Sequence, residues 1–196
     1  MKAYYHARAR EYDDWWLGRG PFADRDRPGW DEERERLTEM IAALPPARTL
    51  DVACGTGFLT RHLRGEVTGL DQSEAMLEVA RQQAPQGTFV RGDALALPFE
   101  DHAFDRLFAS YFYCHLEEPE RLRFLAEARR VARELVLVTS VLRDEVVPAR
   151  YEERVLQDGS RWEVFKRYFR PDELTEELGG GEVIHLGRYF LVVRSS

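Results

Sequence analysis

The run Thr49-Leu50-Asp51-Val52-Ala53-Cys54-Gly55-Thr56-Gly57-Phe58-Leu59 constrains the fold of this chain more than any other segment. Leu50 and Val52 suit a strand buried in a parallel sheet. Gly55 and Gly57 allow a sharp turn in which the backbone approaches a ligand where a Cβ would collide. Gly69-Leu70-Asp71 and Gly92-Asp93 then read as two further strand ends, each closing on an acid. Strands that finish in this way along one edge of a sheet form a grip for a nucleoside-type ligand. Asp71 is placed to accept both hydrogen bonds of a ribose diol, and Asp93 to accept from an amine on the base. Asp51, beneath the glycine turn, is a poor neighbour for a pyrophosphate and a good one for a cation, so the ligand is expected to carry positive charge. A dinucleotide fingerprint would need a glycine where Thr60 stands, and the chain has no G-K-[ST] phosphate loop.

These residues resemble the class I S-adenosylmethionine-dependent methyltransferases, in particular the small-molecule branch whose first motif reads D-x-x-C-G-T-G. The resemblance covers roughly residues 46 to 140 and implies a Rossmann-like, doubly wound α/β fold. Its seven-stranded sheet would be mostly parallel with an antiparallel last strand. It also implies S-adenosyl-L-methionine as cofactor, with Asp51, Ala53, Gly55 and Gly57 around the methionine part, Asp71 and Gln72 at the ribose, and Asp93, Ala94 and Met76 at the adenine. Phe104 to Ser110 looks like the family's fourth strand and places Ser110 at the site, and Tyr111 to Leu116 looks like the loop beyond it. Leu135 to Val138 is similar to the fifth strand. The family often has a Pro-Gly-Gly turn before that strand, and Ala132-Arg133-Glu134 replaces it here. Tyr5 to Asp13 resembles the Y-D-x-x-A-x-x-Y-D opening of related methyltransferases, with Tyr12 as the contact over the cofactor.

Length and charge agree with an enzyme of this kind. A chain of 196 residues is one ordinary domain with room for a real core. A net charge of -7 argues against a broad nucleic-acid surface. The absence of a D/N-P-P-Y/F motif after the fourth strand, where Ser110-Tyr111-Phe112-Tyr113 stands, lowers the case for methylation of base amines. No apolar run approaches the roughly 20 residues needed to span a bilayer, and the start of the chain is no signal peptide, so a cytoplasmic protein without membrane contact is expected. Cys54 and Cys114 are too few for a disulfide scaffold, and no Cys/His spacing suggests a metal. A monomer or homodimer would suffice.

Along the chain, residues 1–45 read as a helical cap, with Leu37, Ile41 and Leu44 on one face and Pro45-Pro46 as a stop. Residues 46–140 form the cofactor-binding core. Ser73 caps a helix there that ends at Pro85, and Pro119 opens another with Leu122, Leu125 and Ala126 on one side. Residues 141–170 read as an insertion or lid whose Asp158-Gly159 signals a hairpin. Residues 171–196 give a helix from Pro171, a stop at Gly179-Gly180-Gly181, and two closing strands.

The aromatic residues outside the core, among them Trp15, Trp16, Trp30, Trp162, Tyr4, Tyr5, Tyr12, Phe165, Tyr168 and Phe169, suggest either a lid that excludes water and favours a sulfonium or staples that pack the cap on the sheet. Tyr111 and Tyr113 are candidates for shaping a substrate pocket. His115, beyond the fourth strand, is the candidate catalytic base. Arg8-Ala9-Arg10 and Arg129-Arg130 read as solvated helix faces. The reading is therefore an enzyme that methylates a small-molecule acceptor. The alternatives are a tRNA or protein methyltransferase, and a noncatalytic S-adenosylmethionine-binding regulator.

Overall fold

A computed structural model describes residues 2–196. Helices α1 (Lys2–Arg8), α2 (Asp14–Leu17) and α3 (Trp30–Ala43) make up the amino-terminal cap. The core alternates β1 (Ala47–Val52), β2 (Gly65–Asp71), α4 (Glu74–Gln83), β3 (Thr88–Arg91), β4 (Phe104–Ser110), α5 (Glu118–Val131) and β5 (Ala132–Ser140). Then come a hairpin of β6 (Ala149–Val155) and β7 (Arg161–Arg167), helix α6 (Pro171–Glu177), and strands β8 (Glu182–Leu186) and β9 (Phe190–Ser195). Seven strands form one sheet in the order β3-β2-β1-β4-β5-β9-β8, and β6 pairs with β7 apart from it. The pairs from β3 through β5 are parallel, and β9 runs antiparallel between β5 and β8. The expected doubly wound sheet is present, with strand order reversing between β1 and β4, where such folds place their ligands.

Local chemistry explains the boundaries. Central strands β1, β4 and β5 are covered on both faces, with Leu50, Val52, Leu107, Phe108, Val136 and Leu137 fully buried, which matches their unbroken apolar runs. The Ser73 hydroxyl accepts from the Met76 amide at the start of α4. Pro119 sits in the first turn of α5, which carries a reciprocal Glu117/Glu120 capping box. The buried face of α5 differs from the expected one: Leu122 and Ala126 are exposed, while Arg121, Phe124, Leu125, Ala128 and Val131 are buried. Arg121 tolerates burial because its guanidinium donates to Glu177 and to the Leu116 carbonyl.

The cap is fastened by two buried devices. Trp16 is stacked between Phe58 beyond the glycine turn and Phe190 of β9. Glu33 of α3, only 3% exposed, accepts from the amides of Arg188, Tyr189 and Phe190 at 2.9–3.3 Å. Residues 1–45 were expected to be helical. Among the described residues they hold the short α1 and α2 and the 14-residue α3, and Gly18, Gly20 and Gly29 take positive φ angles where the chain turns between α2 and α3.

Candidate functional site

The carboxyl ends of β1, β2 and β4, with the segment after β3, open onto a cleft of about 360 Å³. Nine of the residues expected at a cofactor line it: Tyr12, Ala53, Gly55, Asp71, Gln72, Met76, Asp93, Ala94 and Ser110. Two do not. Asp51 lies beneath the turn, 2% exposed, and its Oδ2 accepts from the Thr60 hydroxyl at 2.5 Å. Burial pushes its carboxyl from the ordinary 3.8 up to about 7, against the Thr60 hydrogen bond and with help from the Asp71 charge. Gly57 instead faces α4: at φ 77°, a Cβ there would stand 3.2 Å from the Ala80 Cα. Its small size serves helix packing, not ligand approach.

Two central strands end under strain. Ala53 and Tyr111 follow neighbouring strands β1 and β4, line the cleft, and have φ angles of 57° and 52°. A left-handed conformation costs a non-glycine residue of order 1–2 kcal/mol, and such strain concentrates at functional sites. Asp71 organises the opposite wall. Its Oδ2 accepts from the Gly55 amide at 3.1 Å and its Oδ1 from the Ser73 amide at 2.8 Å. Burial raises its pKa, against those amide donors. Asp93 is exposed and turns the chain through a bond from the Leu95 amide. The Ser110 hydroxyl, buried at the cleft, has no hydrogen-bond partner among the described residues.

The cap closes the cleft from above. Asp13 accepts from Thr56 in the glycine turn and from Gln83 of α4, both at 2.5 Å. That double anchor sets the neighbouring Tyr12 ring over Gly55, about 3.6 Å from where a Cβ would stand. Beyond this ring lies a second, larger cavity of about 690 Å³ between the cap, the β6–β7 hairpin and the Arg188–Tyr189 turn. Tyr5, Tyr12 and Tyr111 line both spaces. Burial raises the pKa of all three phenols, so each stays a neutral hydroxyl.

The remaining candidates divide between cavity and core. Tyr4, Trp15, Trp30 and Tyr168 line the large cavity, whereas Trp16 and Phe169 are packed in the core. Tyr113, expected near substrate, is 1% exposed, rests on Phe124 and Phe169, and donates to Glu177 at 2.7 Å. It braces α5 and α6. His115 lines the large cavity, and its Nδ1 donates to the Phe165 carbonyl at 2.7 Å. A carbonyl only accepts, so Nδ1 carries a proton, and in the neutral tautomer Nε2 is left as the acceptor. Arg8, expected on a solvated face, also lines the cavity, its guanidinium over Tyr12 at 4.8 Å.

Sequence reasoning missed most of the large cavity: Arg25, Arg27, Arg143, Lys166 and Arg188 on its walls come from segments without motifs. Lys166, only 5% exposed, donates to the Cys114 thiol at 3.1 Å. Burial alone would push that thiol up, but Lys166 and His115 overcome it and bring the pKa from 9.0 down to about 6.

Residues 50–137 match the family described as the methyltransferase domain. Curated relatives include the demethylmenaquinone methyltransferases of Thermotoga maritima, 40% identical over 103 residues, and of Renibacterium salmoninarum, 37% identical over 103. These matches take in 50% and 51% of this chain but 44% and 43% of the relatives, so the chain spans less than half the length of the curated relatives it matches. Among solved structures, the DhpI-SAM-HEP complex is similar over 98% of this chain and 94% of its own, at 26% identity and a TM-score of 0.77. The PH0226 protein from Pyrococcus horikoshii OT3 shares the fold, at 22% identity and a TM-score of 0.66 over 99% and 98% of the two chains. No helix among the described residues is long and apolar enough to cross a membrane.

Proposed function

We propose that this chain transfers a methyl group from S-adenosylmethionine, held in the smaller cleft, to a small molecule held in the larger cavity. The observation that carries this reading is the shared wall of Tyr5, Tyr12 and Tyr111, through which the two spaces meet. The likeness to the DhpI-SAM-HEP complex over nearly the whole chain supports it, as do the names of the curated relatives.

The cleft's chemistry suits the cofactor. The orphaned Ser110 hydroxyl lacks a partner that a polar ligand would supply, and the buried Asp71 carboxylate is an acceptor for a diol. Gln72 and Asp93 offer polar atoms beside the apolar Met76 and Leu70. When bound, S-adenosylmethionine supplies a methyl group on a positively charged sulfur, a good leaving group for direct displacement. The protein's part is alignment and exclusion of water. The tyrosine wall offers aromatic faces that favour a cation and neutral hydroxyls that orient an acceptor. Asp51 adds negative charge under the turn once ionised. If the acceptor enters as a hydroxyl or amine, His115 takes its proton on Nε2, with the Phe165 carbonyl fixing the tautomer.

Labelled-methyl transfer against a panel of small metabolites, with RNA and protein fractions run separately, tests the reading. Product is expected among the metabolites. Tight S-adenosylhomocysteine binding without turnover of any fraction would favour a regulator instead. His115→Gln is expected to bind cofactor normally while turnover falls at least about 100-fold, the lower end for loss of a general base. Full turnover across pH 6–9 would remove His115 from the chemistry.

A further inference from the structure

The large cavity is basic within an acidic protein. In a chain of net charge -7, its walls hold seven arginines and a lysine against three acids, Asp26, Glu152 and Glu153. Some of this charge is matched internally. Arg150 and Arg154 flank Glu152, and Arg143 pairs with Glu145 at 2.9 Å. Three cations are not matched: among the described residues, Arg8, Arg25 and Arg27 have no carboxylate within 4.0 Å. Lys166 is matched by the Cys114 sulfur, to which it donates at 3.1 Å, and Arg8 donates to the Tyr4 hydroxyl at 2.9 Å.

Aromatic rings and backbone hold these unmatched cations in place. The Arg27 guanidinium lies 3.9 Å from the Trp30 ring centroid and donates to the Trp15 carbonyl at 3.0 Å, and Arg25 lies 4.7 Å from the Phe22 ring. Rings orient a guanidinium without neutralising it. Partial burial, and then the like charge of Arg154 on Arg25 and of Arg25 on Arg27, lowers the pKa of both. A group of cations gathered against its own repulsion in a concave space lacks an anion. Further in, the Lys166 Nζ stands 4.7 Å from the ring of Tyr111, one of the residues dividing the two spaces.

The geometry points to an acceptor that carries an oxyanion, a carboxylate or a phosphorus oxyacid, gripped by Arg25 and Arg27 with Arg8 completing the field. This rests on the methyl-transfer reading for the word acceptor, while the anion site stands on the cavity alone. Arg25 and Arg27 supply planar donor forks suited to two oxygens of one group, and binding there would anchor the acceptor in the cavity whose inner wall is Tyr111.

The test titrates tryptophan fluorescence, since Trp15 and Trp30 line the cavity, with inorganic phosphate, with acetate, and with acetamide as the neutral control. Each titration is run on the free protein and on protein saturated with S-adenosylhomocysteine. At least one oxyanion is expected to saturate the signal and acetamide not to. The Arg25→Gln/Arg27→Gln variant is expected to weaken that binding at least tenfold while its S-adenosylhomocysteine affinity, which also reports its folding, stays within twofold. Saturation by phosphate alone supports a phosphorus oxyacid, by acetate alone a carboxylate, and by both a site that reads charge. Saturation by neither, or equal binding by the variant, overturns the proposal. Failure of S-adenosylhomocysteine to bind would instead strike the methyl-transfer reading, and the free-protein titrations still decide the anion site.

Discussion

The two cavities are built by different means. The smaller is made largely by backbone: strand ends, a glycine turn and two strained residues set its shape, and Asp71 holds the turn by its amides. The larger is made by side chains from segments distant in sequence: the cap, the β6–β7 hairpin and the Arg188–Tyr189 turn converge on it. A cavity shaped by backbone tolerates changes on its rim and fails when its few polar anchors go. One shaped by side chains changes its preference with each substitution, provided its supports stay in place. The supports are therefore the first place to break the contrast.

The largest effect is expected at Trp16. It lies in the cap yet is 2% exposed and packs on Phe58 and Phe190. Replacing it with Ala should cost about 3–5 kcal/mol, as for a large buried aromatic, measured by urea denaturation. Its neighbour Trp15, which faces the large cavity, should cost less stability when replaced and should change the acceptor's KM instead. Equal losses from the two would mean that the cap has no division between support and cavity wall.

Asp51 gives the next effect, with opposite sign. Its folded pKa of about 7 exceeds the ordinary 3.8, so the folded chain holds this proton more tightly than the unfolded one. Its contribution to stability is full below about pH 4, falls as pH rises toward 7, and stays low above that. Asp51→Asn removes the cost of a buried charge, so the variant should gain roughly 2–3 kcal/mol over the parent at pH 8 and little at pH 4.5. Parallel stability curves over that range would show that Asp51 is not the group responsible.

The contrast also explains what could be read from the sequence. The strand–turn–helix run and the acids at successive strand ends are local patterns, each set by a few adjacent residues, so the fold and most of the cleft were legible. Gly57 and Asp51 do not line the cleft, because a motif shows that a glycine or an acid is required but not on which side of the backbone it acts. Leu122 was misplaced because helical spacing cannot reveal that the buried Arg121 has a partner in Glu177, 56 residues away. The large cavity was illegible for the same reason. Arg27 on Trp30 is a local contact, but nothing in the sequence brings these residues to Lys166 or Arg188.

At Asp71 the backbone-built cleft faces its own test. The carboxylate would be a charged acceptor to the cofactor, worth roughly 1.5–3 kcal/mol, so Asp71→Ala should weaken S-adenosylhomocysteine about 10-fold to 150-fold by calorimetry. It should also destabilise the protein, since the Gly55 and Ser73 amides lose their acceptor. Asp71→Asn, which keeps one acceptor oxygen, separates the two: most of the stability should return while the affinity stays low. Unchanged affinity in both variants would detach Asp71 from the cofactor.

The smallest change falls on the wall between the spaces. Among the described residues the Tyr12 hydroxyl donates to no protein group, while its ring rests over Gly55 and beneath the Arg8 guanidinium. Tyr12→Phe keeps every ring contact and strands no protein partner, so stability should stay within about 0.5 kcal/mol. What disappears is a neutral hydroxyl facing ligand, worth about 0.5–1.5 kcal/mol, or 2-fold to 13-fold in affinity. Because Asp13 ties this segment to the glycine turn and to α4, the ring belongs mechanically to the backbone-built cleft, and the loss should appear in the dissociation constant of S-adenosylhomocysteine, with the acceptor's KM unchanged. A shift confined to the acceptor would assign the ring to the larger cavity and move the boundary between the two spaces inward to Tyr111.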